Sequence, residues 1–390
     1  MEEVRPTSVA ALCEIVTAAA ASGERLEVCG GGTKALVGAP RKAKVVDMRG
    51  LTGVIDYDPG ELVITLRAGT PLREVTDLLA ANGQHLPFEP WDHAPLFGKP
   101  VGEATIGGVI AAGVAGPRRV TAGGARDHLL GLTAVTGRGE VVVVGARVVK
   151  NVTGYDLPKL FAGSWGRLGA MAELTLKVLP APRQTATLAI AGLGPRAAQA
   201  AMAAALGSPH GVCSAAHLPQ TFDRAGPHTL LRVAGFAPSV TARCAGLEAV
   251  LAAHGALVRL PDDYAARLWA EITVPAPLDG PVLWRLALPP SEAPALAERF
   301  EAGGARWFMD WGGGLLWLEW PQGNGVDPAE VRAAAEAARG HAKLFRAPEA
   351  LRRTLLAQHP RPASLMALEA RVRAAFDPAG VFETGRWLDV

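Results

Sequence analysis

The sequence has little that would hold a metal ion, a disulfide scaffold or a membrane anchor. Its only four cysteines, Cys13, Cys29, Cys213 and Cys244, lie far apart with no C-x-x-C spacing, which argues against iron–sulfur clusters, zinc sites and disulfide frameworks. No H-E-x-x-H or H-x-H pair is present, so no metal site is predicted. No apolar run reaches the roughly 18–20 residues of a membrane span. The opening residues, MEEVRP, lack the regions of a signal peptide, and a reduced, cytoplasmic setting is expected.

An excess of charge of one sign is also lacking. The 39 Lys and Arg residues against 37 Asp and Glu leave a formal net charge of +2, which gives no basic field for nucleic acid. Hydrophobic residues make up 49% and charged residues 19% of the 390, a composition typical of a globular protein with two or three domains. Glycine and proline are abundant instead, at 45 and 30 residues, which directs attention to backbone loops.

The chain is predicted to divide near residues 180–182. In residues 1–180, glycine-rich loops alternate with short strands that join mainly through hairpins, which predicts an α+β layout. Residues 181–346 repeat the element order β-α-β-β-α-β twice. Two such units side by side predict one antiparallel sheet with helices on one face. Residues 347–390 are predicted to form a helical C-terminal segment that returns to the first domain.

Three glycine-bearing segments of the first domain are candidate binding loops. The first, GGGTK at residues 30–34, follows a predicted strand, and its backbone N–H groups can approach an anion because no Cβ blocks them. The second, residues 104–119, is too glycine-rich for a surface helix and too apolar for a solvated loop. A buried backbone that wraps a ligand is favoured there, and a buried Gly–Ala packing helix is the alternative. The third spans residues 150–170. Together the three indicate a long ligand with an anionic middle, such as a dinucleotide.

Two other patterns are weaker. The sequence GLGPRA at residues 192–197 follows a strand and opens a helix, but the next strand, residues 212–217, offers no acidic residue for a Rossmann fingerprint. Four tryptophans flank the GGG turn at residues 312–314, namely Trp307, Trp311, Trp317 and Trp320. They are predicted to form an aromatic cover over a flat ring, a subunit contact or, as we favour for most of them, ordinary hairpin core.

The order of these motifs resembles a known family. The segments GGGTK, ATIGG…AGPRR, GGARDHLLGL and VVKNVTGYDLPKLFAGSWGRLG are similar to FAD-binding proteins of the vanillyl-alcohol oxidase type, above all to the FAD-binding subunits of bacterial glycolate oxidase. The match is dense from about Leu26 to Pro182 and returns in FDPAGVF at residues 376–382. The resemblance implies an α+β fold in which a two-lobed FAD-binding domain carries a cap domain.

The resemblance also implies which residues contact the cofactor. FAD would be held non-covalently, because no histidine occupies the GGGTK loop. GGGTK would hold the pyrophosphate and residues 163–170 would lie near the adenine half. His93 and His128 lie in glycine-rich segments that could approach a flavin, although a structural role is more usual for each. The residues carried over are Gly30, Gly31, Gly32, Thr33, Lys34, Thr105, Ile106, Gly107, Gly108, Gly113, Gly116, Pro117, Gly124, Asp127, Gly163, Gly166, Gly169 and Ala170.

The functional expectation depends on a motif that this sequence lacks. The H-x-H-x-G-N segment of catalytic subunits in this family is missing, so no catalytic residue is assigned. The resemblance implies a subunit that binds FAD and supports glycolate oxidation to glyoxylate together with a paralogous catalytic FAD subunit and an iron–sulfur subunit. Such a complex would lie in the cytoplasm or at the inner face of the membrane. Two alternatives stay open: a self-sufficient FAD oxidoreductase that uses Lys150, Tyr155 or Arg285, and a non-enzymatic flavin-binding scaffold.

Overall fold

The computed structural model describes residues 3–146, 155–219, 226–320 and 327–387. It has two compact units. The first comprises Met1–Gly116, Gly123–Ala181 and Pro360–Val390, and the second comprises Pro117–Ala122 and Pro182–His359. The short helix Glu349–Thr354, which was predicted with the C-terminal segment, lies in the second unit. Among the described residues, no helix combines the length and apolar character needed to cross a bilayer.

The strands, in chain order, are β1 (Glu3–Val4), β2 (Leu26–Cys29), β3 (Lys44–Asp47), β4 (Val54–Asp58), β5 (Val63–Arg67), β6 (Gln84–His85), β7 (Leu129–Val135), β8 (Val141–Gly145), β9 (Ala170–Lys177), β10 (Leu179–Pro180), β11 (Gln184–Ala191), β12 (Val212–Leu218), β13 (His228–Gly235), β14 (Leu257–Arg259), β15 (Val282–Ala287), β16 (Arg306–Asp310), β17 (Leu315–Trp320) and β18 (His341–Arg346). The α-helices are α1 (Val9–Ser22), α2 (Leu72–Ala81), α3 (Ile106–Ala112), α4 (Arg119–Ala122), α5 (Ala125–His128), α6 (Leu157–Phe161), α7 (Pro195–Gly207), α8 (Ala237–Leu251), α9 (Asp262–Thr273), α10 (Ala293–Ala302), α11 (Pro328–Ala337), α12 (Glu349–Thr354) and α13 (Ala363–Phe376).

Two larger sheets and the two-stranded β6–β10 pair build the first unit. β1, β3 and β2 form a parallel three-stranded sheet, and β4-β5-β9-β7-β8 form an antiparallel five-stranded sheet. The β4–β5 and β7–β8 pairs are the two hairpins that the turn sequences predict. Leu12 and Val16 of α1 pack with Val46 of β3 and Val135 of β7. One apolar core therefore joins α1 to strands of both sheets.

The second glycine-bearing segment is a helix for part of its length. Residues 106–112 form α3, whose first residues are capped by the Thr105 hydroxyl and whose last turn ends at Gly113 with φ 63°. Ile106, Val109 and Ile110 are fully buried. A Cβ on Gly107 would lie 2.7 Å from the Ala68 carbonyl oxygen, so glycine is needed for close backbone packing. The packing helix, which was the alternative interpretation, is what the structure shows here.

The second unit contains one eight-stranded sheet in the order β14-β11-β13-β12-β16-β17-β15-β18. All of its paired strands are antiparallel. The two halves of this order are the two predicted β-α-β-β-α-β units, joined where β12 meets β16. Helices α7, α8, α10 and α11 contribute to a single apolar core with the strands, which places these four helices on one face of the sheet, as predicted.

A further helix, α9, was not predicted and packs on the opposite face. The Trp269 indole N–H donates to the Thr187 hydroxyl at 3.0 Å. Because successive side chains of a strand point to opposite faces, Thr187 faces away from the core that holds Ala186 and Leu188. Buried Leu268 and Trp269 supply the apolar side of α9.

The four tryptophans near the GGG turn are all buried. Trp307 and Trp320 belong to the helix-side core of the second unit, which agrees with the hairpin-core interpretation. Trp317 faces the other side, where its ring meets the edge of Phe345 at 5.4 Å. Trp311 begins the turn between β16 and β17 with a positive φ of 56°.

Candidate functional site

The first unit contains a cleft between the end of β2 and the start of α3. Its empty space is about 730 Å³, part of which is open to solvent. The GGGTK loop borders it over its whole length, and β9 contributes Met171. The lining residues are Glu27, Val28, Cys29, Gly30, Gly31, Gly32, Thr33, Lys34, Ala35, Met48, Ala68, Thr105, Gly107, Gly108, Ala111, Ala112, Trp165, Gly166, Gly169, Met171 and Arg386.

Two glycines of the loop serve loop-to-loop packing rather than access for a ligand. A Cβ on Gly31 would lie 1.5 Å from the Glu103 carbonyl oxygen, and a Cβ on Gly30 would lie 2.1 Å from the Thr105 hydroxyl. The chain directly before α3 therefore presses against the GGGTK loop. Gly108 differs, since its Cβ would meet only the Thr105 hydroxyl at 3.3 Å and the Lys34 Nζ at 3.9 Å.

The backbone N–H groups of the two segments have different partners. In the first turn of α3, Ile106 N–H donates to Thr70 O, Gly107 N–H to Ala68 O and Gly108 N–H to the Thr105 hydroxyl. A ligand is therefore not needed to satisfy them, contrary to the expectation for this segment. In the GGGTK loop, no acceptor among the described residues takes the N–H groups of residues 32–34. These three consecutive donors border the cleft and suit an anion.

Lys34 brings a positive charge into the cleft. Its side chain is buried, and its Nζ lies 3.5 Å from the Thr33 hydroxyl. No carboxylate of the described residues forms an ion pair with it. Burial lowers the pKa of Lys34 from 10.5 to about 8, with Asp92 acting in the opposite direction. The ammonium group is therefore still mostly charged at neutral pH and lacks a counter-ion within bonding distance.

Arg386, from the C-terminal tail, anchors the end of the GGGTK loop and the residues that follow it. Its guanidinium donates to Glu27 at 3.2 Å, to Val37 O at 2.9 Å and to Lys34 O. Arg41 pairs with the other oxygen of Glu27 at 2.7 Å. Arg386 and Arg41 together with Lys34 carry three positive charges against the single negative charge of Glu27, so the surroundings of the cleft are net positive.

The third glycine-bearing segment is attached to the same tail. Trp165 N–H donates to Ala111 O at 2.8 Å, and the Trp165 ring meets Trp387 edge-on at 5.0 Å. Arg167 binds Glu383 through two bonds of 2.9 Å. The Arg386 guanidinium also lies 4.9 Å from the Trp165 ring centre. The tail thus joins the GGGTK loop to the 163–167 loop, which sequence reasoning missed because these partners are more than 200 residues apart.

The cleft gathers ten of the eighteen residues carried over from the family resemblance, namely Gly30, Gly31, Gly32, Thr33, Lys34, Thr105, Gly107, Gly108, Gly166 and Gly169. The other eight do not line it: Ile106, Gly113, Gly116, Pro117, Gly124, Asp127, Gly163 and Ala170. Ile106 and Ala170 are buried core. A Cβ on Gly113 would lie 3.4 Å from Gly163 Cα, whereas a Cβ on Gly163 would meet nothing within 4 Å.

Other candidates have structural partners. The Asp127 carboxylate accepts the Gly124 N–H at 2.8 Å and so caps α5. His93 stacks on Trp91 at 3.6 Å and His128 stacks on Phe88 at 5.5 Å, and neither lines the cleft. Lys150 lies outside the described residues, and Tyr155 is 92% exposed. Within the described ranges, no group of three or more His, Cys, Asp or Glu side chains is placed to hold a metal ion.

Sequence similarity to known proteins shows the family to which the chain belongs. A model of the FAD binding domain matches residues 3–145. Glycolate oxidase subunit GlcE of Escherichia coli is 34% identical over 380 residues, which is 96% of each chain. The chain belongs to the GlcE family of glycolate oxidase subunits. It is an FAD-binding protein of an oxidoreductase family, as predicted.

Part of the chain is also similar to longer proteins. D-lactate dehydrogenase of Anaerostipes hadrus is 33% identical over 146 residues, 37% of this chain and 29% of that protein. Glycolate oxidase subunit GlcD of Bacillus subtilis is 30% identical over 135 residues, 35% and 27% of the two chains. The chain thus matches these two proteins over little more than a third of its length and matches GlcE over 96% of it.

Solved structures show the fold. Alkyldihydroxyacetonephosphate synthase superposes with a TM-score of 0.67 at 15% identity, covering 98% of this chain and 76% of that one. The chain therefore has the α+β fold of the vanillyl-alcohol oxidase type, with antiparallel sheets as predicted.

Proposed function

We propose that the chain is the FAD-binding subunit of a glycolate oxidase complex and that its cleft holds the diphosphate of FAD. The observation that supports this most is the pairing of Lys34, which has no carboxylate partner among the described residues, with the donor N–H groups of residues 32–34. A diphosphate supplies the acceptors that these groups lack. Thr105 and Gly108 form the opposite wall, where the absent Cβ leaves room.

A role in FAD binding is proposed for the eighteen residues carried over from the family, and the structure supports it better for the ten that line the cleft than for the other eight. Those in the cleft are proposed to contact the cofactor directly, except Gly30 and Gly31, whose missing side chains make room for the chain before α3. Gly113 and Gly163 are proposed to position the loop that carries Trp165, since a Cβ on Gly113 would meet Gly163 Cα at 3.4 Å and the Gly163 N–H donates to Ile110 O at 3.0 Å. When bound, FAD supplies the acceptor for a hydride and a route for single electrons. The protein's part is to bind and orient it.

The chain is proposed to work with a paralogous catalytic FAD subunit and an iron–sulfur subunit, in the cytoplasm or at the inner face of the membrane. Its near full-length match to a protein that is named a subunit of an oxidase supports a role within a complex. The missing H-x-H-x-G-N segment supports the assignment of substrate turnover to the partner. None of the four cysteines has a disulfide or cluster partner in the described structure, which supports a separate subunit for onward electron transfer.

The test is the flavin spectrum of the purified chain under anaerobic conditions. We expect an absorbance spectrum of bound FAD that excess glycolate leaves unbleached. Rapid bleaching by glycolate would reject the supporting role and favour a self-sufficient oxidoreductase. Absence of any FAD binding by a folded chain would reject the cofactor assignment.

A flavin-deficient variant separates an electron relay from a scaffold. Gly108→Leu fills the cleft, and glycine is not needed there for backbone conformation. Gly31 is unsuitable, because any side chain would collide with the Glu103 backbone. If the Gly108→Leu chain lacks FAD and the reconstituted complex loses activity, the relay is supported. Full activity without FAD would show that the chain is a scaffold.

A further inference from the structure

The outer strand of the five-stranded sheet in the first unit is an apolar edge. Strand β8 reads VVVVG, and among the described strands it pairs only with β7. Val143 is 75% exposed and Val141 is 48% exposed. Proteins usually protect an edge strand with charges, a bulge or a proline, because its free backbone groups can pair with another chain. Strand β8 has none of these features.

The other edge strands of more than two residues, as far as the chain is described, all carry charge. Strand β4 also has an irregular register next to Asp56. Among the described edges of this length, β8 is therefore the one without a charged residue, which indicates that another strand covers it. The charged residues of the other edges are Glu27 in β2, Asp56 and Asp58 in β4, Arg259 in β14, and Lys343 and Arg346 in β18.

The backbone groups on the outer side of β8 belong to Val141 and Val143. The Ala146 N–H donates to Leu130 O at 3.2 Å, just before β7 pairs with β8. Since the backbone groups of successive residues in an antiparallel strand point to opposite sides, even-numbered residues of β8 face β7 and odd-numbered residues face outward. No described residue pairs with the outward N–H and C=O groups of Val141 and Val143. The edge thus offers two donors and two acceptors at the spacing that an added strand requires.

The side chains on one face of this sheet change character at β8. Across the strands Arg67 lies beside Glu173, and Glu173 lies beside Thr133, whose hydroxyl donates to the Glu173 carboxylate at 2.9 Å. The next residue in this row is Val143. A polar row that ends in an exposed valine fits a further strand that places an apolar, β-branched side chain beside Val143.

The size and charge of the edge indicate the kind of partner. Strand β8 has five residues, far fewer than the roughly 20–30 residues that each partner contributes to a stable interface. Pairing of β8 with β8 of a second copy is therefore too small to hold a dimer by itself, and the covering strand belongs to a protein that binds over a wider surface. Residues 141–146 carry no charge, so a charged covering strand would lose its solvation without gaining a counter-ion.

We propose that β8 pairs with an uncharged, β-branched strand of the paralogous FAD-binding subunit, so that one sheet runs through both proteins. The proposal rests on the proposed role in a glycolate oxidase complex and adds the surface through which that complex forms. The FAD binding domain model covers residues 3–145 and so includes β8. A paralogue with the same domain carries a corresponding strand, and two similar edges can pair across an approximate two-fold axis.

The test is surface plasmon resonance with the purified paralogous FAD subunit immobilised and the full-length chain in solution. Val143→Lys places a charge in the paired strand, and Val143→Pro removes an outward N–H, a change that edge strands tolerate. Each variant should bind about tenfold or more weakly. The matched control is Val258→Lys, which changes a 57% exposed valine on edge strand β14 and should bind like the unaltered chain. Circular dichroism and FAD titration should be the same for all four chains.

Unchanged binding of both Val143 variants would overturn the proposal and leave the proposed function intact. A dimer of the isolated chain that Val143→Lys dissociates in size-exclusion chromatography would overturn it in favour of a second copy. A larger loss of stability in urea for Val143→Lys than for Val258→Lys would also overturn it, because another segment of the same chain would then cover the edge. If the unaltered chain does not bind the paralogue, the proposed complex is rejected together with this surface, whereas a failure to bind FAD alone rejects only the cofactor assignment.

Discussion

Replacing Lys34 by methionine should weaken the binding of FAD and raise the stability of the flavin-free chain. In the flavin-free chain the buried ammonium is unfavourable, since its pKa falls from 10.5 to about 8. That fall corresponds to about 3 kcal/mol of destabilisation at neutral pH, as an order of magnitude. Methionine has a similar length and no charge. The variant without FAD should therefore unfold at a higher denaturant concentration than the unaltered chain.

With FAD present, the stability advantage of the variant should be largely offset, because the variant binds FAD more weakly. A hydrogen bond to a charged group contributes about 1.5–3 kcal/mol, so Lys34→Met should raise the Kd for FAD by roughly tenfold to a hundredfold. Fluorescence titration with FAD measures the affinity and urea unfolding measures the stability. The control is Lys159→Met, which removes an exposed lysine that pairs with Asp156 at 2.6 Å. A variant that binds FAD normally, or one that is destabilised when flavin-free, would refute the reasoning about Lys34.

The same lysine predicts a pH dependence with a definite sign. Its folded pKa lies below its unfolded value, so the folded chain binds fewer protons and the stability of flavin-free protein should rise between about pH 8 and 10.5. An adjacent diphosphate favours the charged form, so FAD affinity should fall as the pH rises through about 8. Both trends should be absent from Lys34→Met. Equal slopes in the two proteins would contradict the assignment.

Three further predictions concern the fold. Gly31→Ala should destabilise the chain by about 2 kcal/mol or more in urea unfolding, whereas Gly108→Ala should be neutral or stabilising, because only Gly31 faces backbone; equal effects would contradict the loop packing. His217, whose pKa burial lowers to about 4, should make stability fall by about 3 kcal/mol as the pH drops from 6.5 to 4, a slope that His217→Gln should flatten. Thr187→Val leaves the Trp269 indole N–H without its acceptor and should cost about 1–3 kcal/mol, and an unchanged midpoint would argue against the attachment of α9.

Local patterns in the sequence were enough to predict the longer strands, the hairpins and the two β-α-β-β-α-β repeats, but not the two-residue strands β1, β6 and β10. Turn residues fix the β4–β5 and β7–β8 hairpins, and alternating apolar residues fix the strands of the second unit. The α9 helix was missed because it lies between the first and the second β-α-β-β-α-β repeat, and the repeated element order contains no helix at that point. The glycines of α3 also misled, because the close packing of Gly107 against Ala68 and the burial of Ile106, Val109 and Ile110 override the low helix propensity of glycine.

The candidate site was predicted only in part. The GGGTK loop was found because glycine, hydroxyl and charge follow one another in the chain. Arg386 and Trp165 were missed, since their role depends on contacts between the C-terminal tail and loops far away in sequence. The glycines at 30 and 31 were found for a reason that the structure corrects: they allow two loops to touch. Arg285 was noted, but its pairing with Arg119 on Trp311 could be seen only in the structure.

The most direct measurement is a crystal structure of the chain with FAD. The account predicts that the diphosphate lies in the cleft, with an oxygen within hydrogen-bond distance of Lys34 Nζ and of the N–H groups of residues 32–34. A diphosphate found elsewhere, with Lys34 still lacking an anionic partner, would contradict it.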